Sequence, residues 1–170
     1  VSAVARARVP LILLGALVLQ SSLLEGLRAV GIPTDALLLV AVAAGATAGP
    51  DRGAIIGFVA GLLADLFLQT PLGLSALAYC LVGFAVGVLS GNVIRAAWWI
   101  MPLTAFVGSV TGVVAFAFIG AMVGQAHLVQ PTLPLIALSV GLVNVPLSIP
   151  VGRAMSWAMA PGSDRTYATR

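Results

Sequence analysis

Few side chains in this 170-residue chain could do chemistry, and their spacing argues against most kinds of it. His127 is the only histidine and Cys80 the only cysteine, so neither a His-rich metal site nor a thiolate cluster or disulfide framework can be assembled. Asp51 and Asp65 lie at opposite ends of one apolar segment, so they do not form a close carboxylate pair. No Ser/His/Asp set, HExxH or GxxxxGK pattern occurs. A lone histidine with no acidic neighbour is a poor general base. The expectation is a chain with no catalytic centre, no cofactor and no metal, which is not an enzyme.

What remains suits recognition. In "GAIIGFVAGLLADLFLQTPLG", glycines recur at Gly53, Gly57 and Gly61, with Asp65 at the next step of four. Glycines four apart form a ridge along a helix, drifting about 40° per step. In lipid such a ridge lets a second backbone approach closely, and close packing drives helix association there. The pattern returns at Gly83, Gly87 and Gly91, with weaker pairs at Gly108/Gly112 and Gly120/Gly124. The ridge has two readings: packing of the third and fourth segments as a hairpin, or docking of a partner's membrane helix.

Asp65 also divides. It lies about one turn from Gln69 and could hold the "QTPLG" connection, with Pro71 and Gly73 in its turn, or offer a polar contact to a partner or ligand. Arg28 is the candidate cation for it. Asn144 lies just before Pro146. It could satisfy carbonyls that Pro146 and Pro150 free, those of Leu142 and Pro146, or it could line a hinge or cavity. Trp157 reads as an interfacial anchor, His127 as a solvated loop residue, and Tyr79 and Cys80 as packing residues.

The elements that carry these residues are apolar helices. Hydrophobic residues make up 61% of the chain and charged residues 8%, against about 25% charged in a soluble domain. So few charges cannot dress a water-facing surface, and apolar runs of helix length recur throughout. Six spans are expected, near 9–24, 36–48, 53–68, 74–89, 98–123 and 133–159. They form a single domain over 1–160, followed by a short polar tail, 161–170. Thr34 or Asp35 should cap the second span. The first is read as a retained span, because no small-x-small cleavage pattern ends it. The net charge is +3, and the eight arginines are too dispersed for a nucleic-acid surface. With six spans, seven arginines fall on the side of the termini and only Arg28 on the other, which places both termini in the cytoplasm.

The stretch "RGAIIGFVAGLLADLFLQTPLGLSALAYCLVGFAVGVL", 52–89, resembles the rod shape-determining protein MreD family. The shared pattern is a glycine-rich helix, a short "TPLGLSALAY" connection and a second glycine-rich helix; Pro33 and Asp35 in "IPTDALLL" also fit. The resemblance implies a non-catalytic scaffold of the bacterial inner membrane within the peptidoglycan-synthesising elongation machinery. Its implied partner is an MreC-like bitopic protein, and through it MreB, RodA and a class B penicillin-binding protein. It also implies a likeness to the six-helix substrate-binding subunits of energy-coupling-factor transporters. That supplies a rival reading, a vitamin or small-molecule binding subunit with a cavity using Asn144, Asp65, Gln125 and His127. In the scaffold reading, Gly53, Gly57, Gly61, Asp65, Pro71 and Gly73 form the partner-binding surface.

Overall fold

The computed structural model describes residues 3–22, 34–67, 71–92 and 99–160, and the described residues form helices and turns without strands. Six α-helices follow one another: α1 (Ala3–Ser22), α2 (Ala36–Ala48), α3 (Pro50–Asp65), α4 (Leu74–Asn92), α5 (Ile100–Met122) and α6 (Leu133–Met159), with a 3-10 turn at Ala126–Leu128 before the last. The expected segments therefore reappear as helices close to their expected bounds. Their lengths differ in a way that matters. Among the described residues only α5 and α6 are long and apolar enough to cross a membrane by themselves, so helix length and composition do not support the expected six spans. With 13 residues, α2 extends only about 20 Å at 1.5 Å per residue.

That short helix is the centre of the fold. Leu37 to Ala44 are all 0% exposed, and α1, α3, α4, α5 and α6 all pack against α2. A helix that is apolar on every face suits enclosure on every face, and ALLLVAVAAGATA is apolar but for Thr47, whose hydroxyl donates to the Ala43 carbonyl of its own helix. Around it many large apolar side chains face outward. The interior is rich in Ala, Gly and Ser, while Ile55, Phe58, Leu62, Leu81, Phe84, Leu103, Phe118 and Leu142 lie exposed on the outer faces. Soluble monomers rarely expose apolar patches above a few hundred Å².

Local sequence sets the helix ends. Asp35 caps α2 by accepting the Leu38 N–H at 2.9 Å. Gly49 adopts φ +88°, a left-handed conformation that a side chain would strain, and Pro50 then opens α3 in the first turn, where its missing N–H costs nothing. Further on, α6 runs unbroken through Pro146 and Pro150.

Candidate functional site

The glycine ridge and Asp65 come together at the α3–α4 hairpin, the most extensively packed helix pair. A methyl group at Gly57 would collide with the Tyr79 carbonyl, and one at Gly61 would sit 2.5 Å from the Ala76 Cα. Gly53 faces both Gly83 of α4 and Gly45 of α2, while Gly87 meets Pro50. Backbone thus lies against backbone along the whole seam, and the chain's own α4 fills the ridge. Gly108 and Gly112 act differently: they receive the side chains of Val42 and Leu38 from α2.

Asp65 closes the seam. It is 3% exposed, and its carboxylate accepts backbone N–H groups from Gly73 (2.8 Å), Ser75 (3.0 Å) and Ala76 (3.3 Å). These are amides at the start of α4, which its own helix leaves without acceptors. A carboxylate placed there also meets the positive end of the helix dipole. Gly73 makes the turn at φ +98°, and Pro71 is exposed beside it. Of the two readings of Asp65, the structure supplies the contacts of the structural one; Gln69 and Arg28, its other candidate neighbours, lie outside the described residues.

A second polar assembly surrounds the start of α2. Tyr79 donates its hydroxyl to Asp35 Oδ2. Asn144 donates its amide to Ser109 Oγ at 2.8 Å and to the Asp35 carbonyl at 3.2 Å. Gln20 Oε1 accepts the N–H groups of Ala36 (3.0 Å) and Leu37 (3.2 Å). Gln20 of α1, Tyr79 of α4 and Asn144 of α6 thereby meet at the start of α2, and Ser109 of α5 accepts from Asn144. Asn144 thus reaches across to α2 and α5 and does not serve the carbonyls freed by the prolines. Tyr79 is more than packing. His127 and Gln125 sit in the connection before α6, His127 exposed, and are not gathered here.

A cavity of about 210 Å³ adjoins this assembly, lined by Gln20, Thr34, Asp35, Ser75, Tyr79 and Phe116 among others. Thr34 Oγ1, Ser75 Oγ and Asn144 Oδ1 are buried, with no hydrogen-bond partner among the described residues. Sequence reasoning missed the cluster. Its trace in the sequence is the Asp35 cap and polar residues such as Ser109 and Asn144 within largely apolar helices, with nothing to say that they meet.

Comparison with known proteins adds no relative: no protein-family model, characterised protein or solved structure matches this chain.

Proposed function

We propose that the chain is a multi-pass membrane scaffold of the MreD type, which binds the membrane helix of an MreC-like bitopic protein in the bacterial inner membrane. The observation that carries this reading is the outer surface: large apolar side chains stand exposed on α3, α4, α5 and α6. Lipid is the solvent that suits such a surface. All six helices are assigned as spans, both termini to the cytoplasm, and the bundle to the general architecture of energy-coupling-factor binding subunits. The short α2 is compatible with this because protein encloses it on every side, so its ends need not reach the lipid–water boundary.

The α3–α4 hairpin, with the 52–89 motif, is the docking element. Gly53, Gly57 and Gly61 set the approach of α4, and Asp65, Pro71 and Gly73 fix the turn. The exposed face of α3, carrying Ile55, Phe58 and Leu62, then makes the contact. MreB, RodA and a class B penicillin-binding protein join through the bitopic partner.

Photocrosslinking from Phe58 or Leu62 in native membranes tests this. The expected product is an adduct, identified by mass spectrometry, with a single-span protein bearing a periplasmic coiled coil. Adducts with lipid alone from both positions, with the fold intact, would overturn the docking face. One observation favours the rival reading of a small-molecule binding subunit: the partly polar cavity at the start of α2. Solute uptake that requires this chain and an ATPase module would decide for that reading.

A further inference from the structure

The start of α1 and the end of α6 meet in a basic cluster. The Trp157 carbonyl has no helical donor, because the residue four ahead is Pro161, which has no N–H. Arg8 of α1 takes that place, donating from Nη1 at 3.1 Å, and its guanidinium lies 4.2 Å from the centre of the Trp157 ring. A guanidinium has five N–H donors. The carbonyl uses one and the ring holds the cation in place, so Arg8 keeps N–H groups to give at a fixed position.

Arg153 stands one turn before Trp157 on α6. It is exposed, and its guanidinium has no hydrogen bond or ion pair among the described residues. Its setting is apolar: Ile149, Arg153 and Trp157 follow at steps of four along one stripe, with Ile149 45% and Trp157 51% exposed. Arg153 lies six residues before the end of α6, about 9 Å along its axis. In a bundle bathed by lipid, an arginine there keeps its charge and extends its apolar stem toward the boundary. On α6 that boundary lies on the side of Trp157. Two positive groups therefore serve one level of the bundle. The partial negative charge at the end of α6 offsets only part of one. Among the described residues no carboxylate pairs with either: Asp51, at the start of α3, makes no ion pair, and Asp35 and Asp65 belong to the opposite end of the bundle.

A complementary ligand carries an anion at the level of Trp157 and an apolar body beside Ile149. A phospholipid has both; a soluble anion has only the first. We infer that Arg8, Arg153 and Trp157 bind the phosphate of an anionic phospholipid, with an acyl chain along the Ile149 face of α6. Both guanidiniums give charge-assisted hydrogen bonds to phosphate oxygens, and the Trp157 indole N–H, without an acceptor among the described residues, donates to the glycerol ester. A zwitterionic headgroup would bring its own cation into the cluster. The inference rests on the multi-pass membrane reading and on no property of the bitopic partner.

The test uses the full chain in dodecyl maltoside and native mass spectrometry, with phosphatidylglycerol and phosphatidylcholine of identical acyl chains. One arginine beside an anionic headgroup corresponds to about fivefold in affinity, so phosphatidylglycerol should bind about twentyfold tighter than phosphatidylcholine. Arg153→Gln should weaken phosphatidylglycerol about fivefold and leave the lipid-free unfolding temperature unchanged, since its guanidinium has no protein hydrogen bond to lose; Arg153→Lys should keep most of the preference. Arg8→Gln should weaken the lipid at least as much and also lower the unfolding temperature, because the Trp157 carbonyl loses its donor. Arg52→Gln, on α3 at the same end of the bundle, should change neither. Excess inorganic phosphate should not displace the lipid. Equal binding of the two lipids, no loss in Arg153→Gln, an equal loss in Arg52→Gln, or displacement by inorganic phosphate would overturn the inference. Carbonate washing of membranes separates this from the reading beneath it. A chain that stays embedded yet gives one of those results loses the lipid site alone, whereas a chain released by carbonate loses both.

Discussion

The glycine seam between α3 and α4 and the polar cluster at the start of α2 hold neighbouring parts of one bundle by opposite means. The seam works by absence: no side chain stands between two backbones, so fit is decided at the scale of one methyl group. The cluster works by presence: Gln20, Tyr79 and Asn144 supply the polar atoms that bind the Asp35 end of α2, and Ser109 accepts from Asn144. Backbone contact can satisfy no extra hydrogen bond, and a polar cluster cannot bring axes to close approach. Tight spacing and angular register are therefore assigned to different residues. The seam should be intolerant of added volume, the cluster of removed polarity.

The largest expected effect breaks the seam. Gly57→Leu forces side-chain volume onto the Tyr79 carbonyl, and Gly61→Ala already overlaps the Ala76 Cα. Overpacking costs about 1–3 kcal/mol where the neighbours are mobile side chains, so the leucine, which meets backbone, should separate the hairpin. Unfolding in mixed detergent micelles and cysteine crosslinking between α3 and α4 would show it. A normal crosslink in Gly57→Leu would refute backbone contact at the seam.

Asp65→Ala comes next, because it strands three amides of α4. Hydrogen bonds to charged groups contribute about 1.5–3 kcal/mol each, and water recovers part of that, so a loss near 3 kcal/mol is expected. Asp65→Asn, keeping one acceptor oxygen, should recover about half. Hydrogen exchange at Ser75 and Ala76 would locate the damage; unchanged protection there would remove the capping role.

In the cluster, Asn144→Leu and Tyr79→Phe each delete interhelical hydrogen bonds, and such bonds in membrane bundles average about 0.6 kcal/mol with a maximum near 1.7. Each variant should fall in that range, and the pair should be non-additive because both act on Asp35. Strict additivity would mean the cluster is not one unit. Smallest of all, Gly15→Ala on α1, where an added methyl meets nothing within 4 Å, should be neutral or stabilise by up to about 1 kcal/mol. That control separates the seam from glycine content as such.

Much of the seam was legible in the sequence, since spacings of four glycines project directly onto one helix face, and Asp35 and Asp65 stand where the helical pattern starts or stops. The occupant of the ridge was not: the same stripe suits α4 or a foreign helix. The burial of α2 was equally hidden, because an all-apolar helix reads the same whether protein or lipid surrounds it. The cluster escaped because its partners are remote in sequence: Asp35 and Asn144 are 109 residues apart, Asp35 and Tyr79 44. No local periodicity encodes such a meeting; it follows only once the helices are packed.

One contact between the two outermost helices reaches beyond both regions. The Arg8 guanidinium lies 4.2 Å from the centre of the Trp157 ring and donates to the Trp157 carbonyl at 3.1 Å, while Gln20, farther along α1, grips the start of α2. During synthesis α1 therefore waits for α6 before its Arg8 end can be fastened. Until then α1 is held by Gln20 and by its apolar contacts with α2, and the Arg8–Trp157 clasp closes only after the five helices that follow α1 in the described bundle have been made.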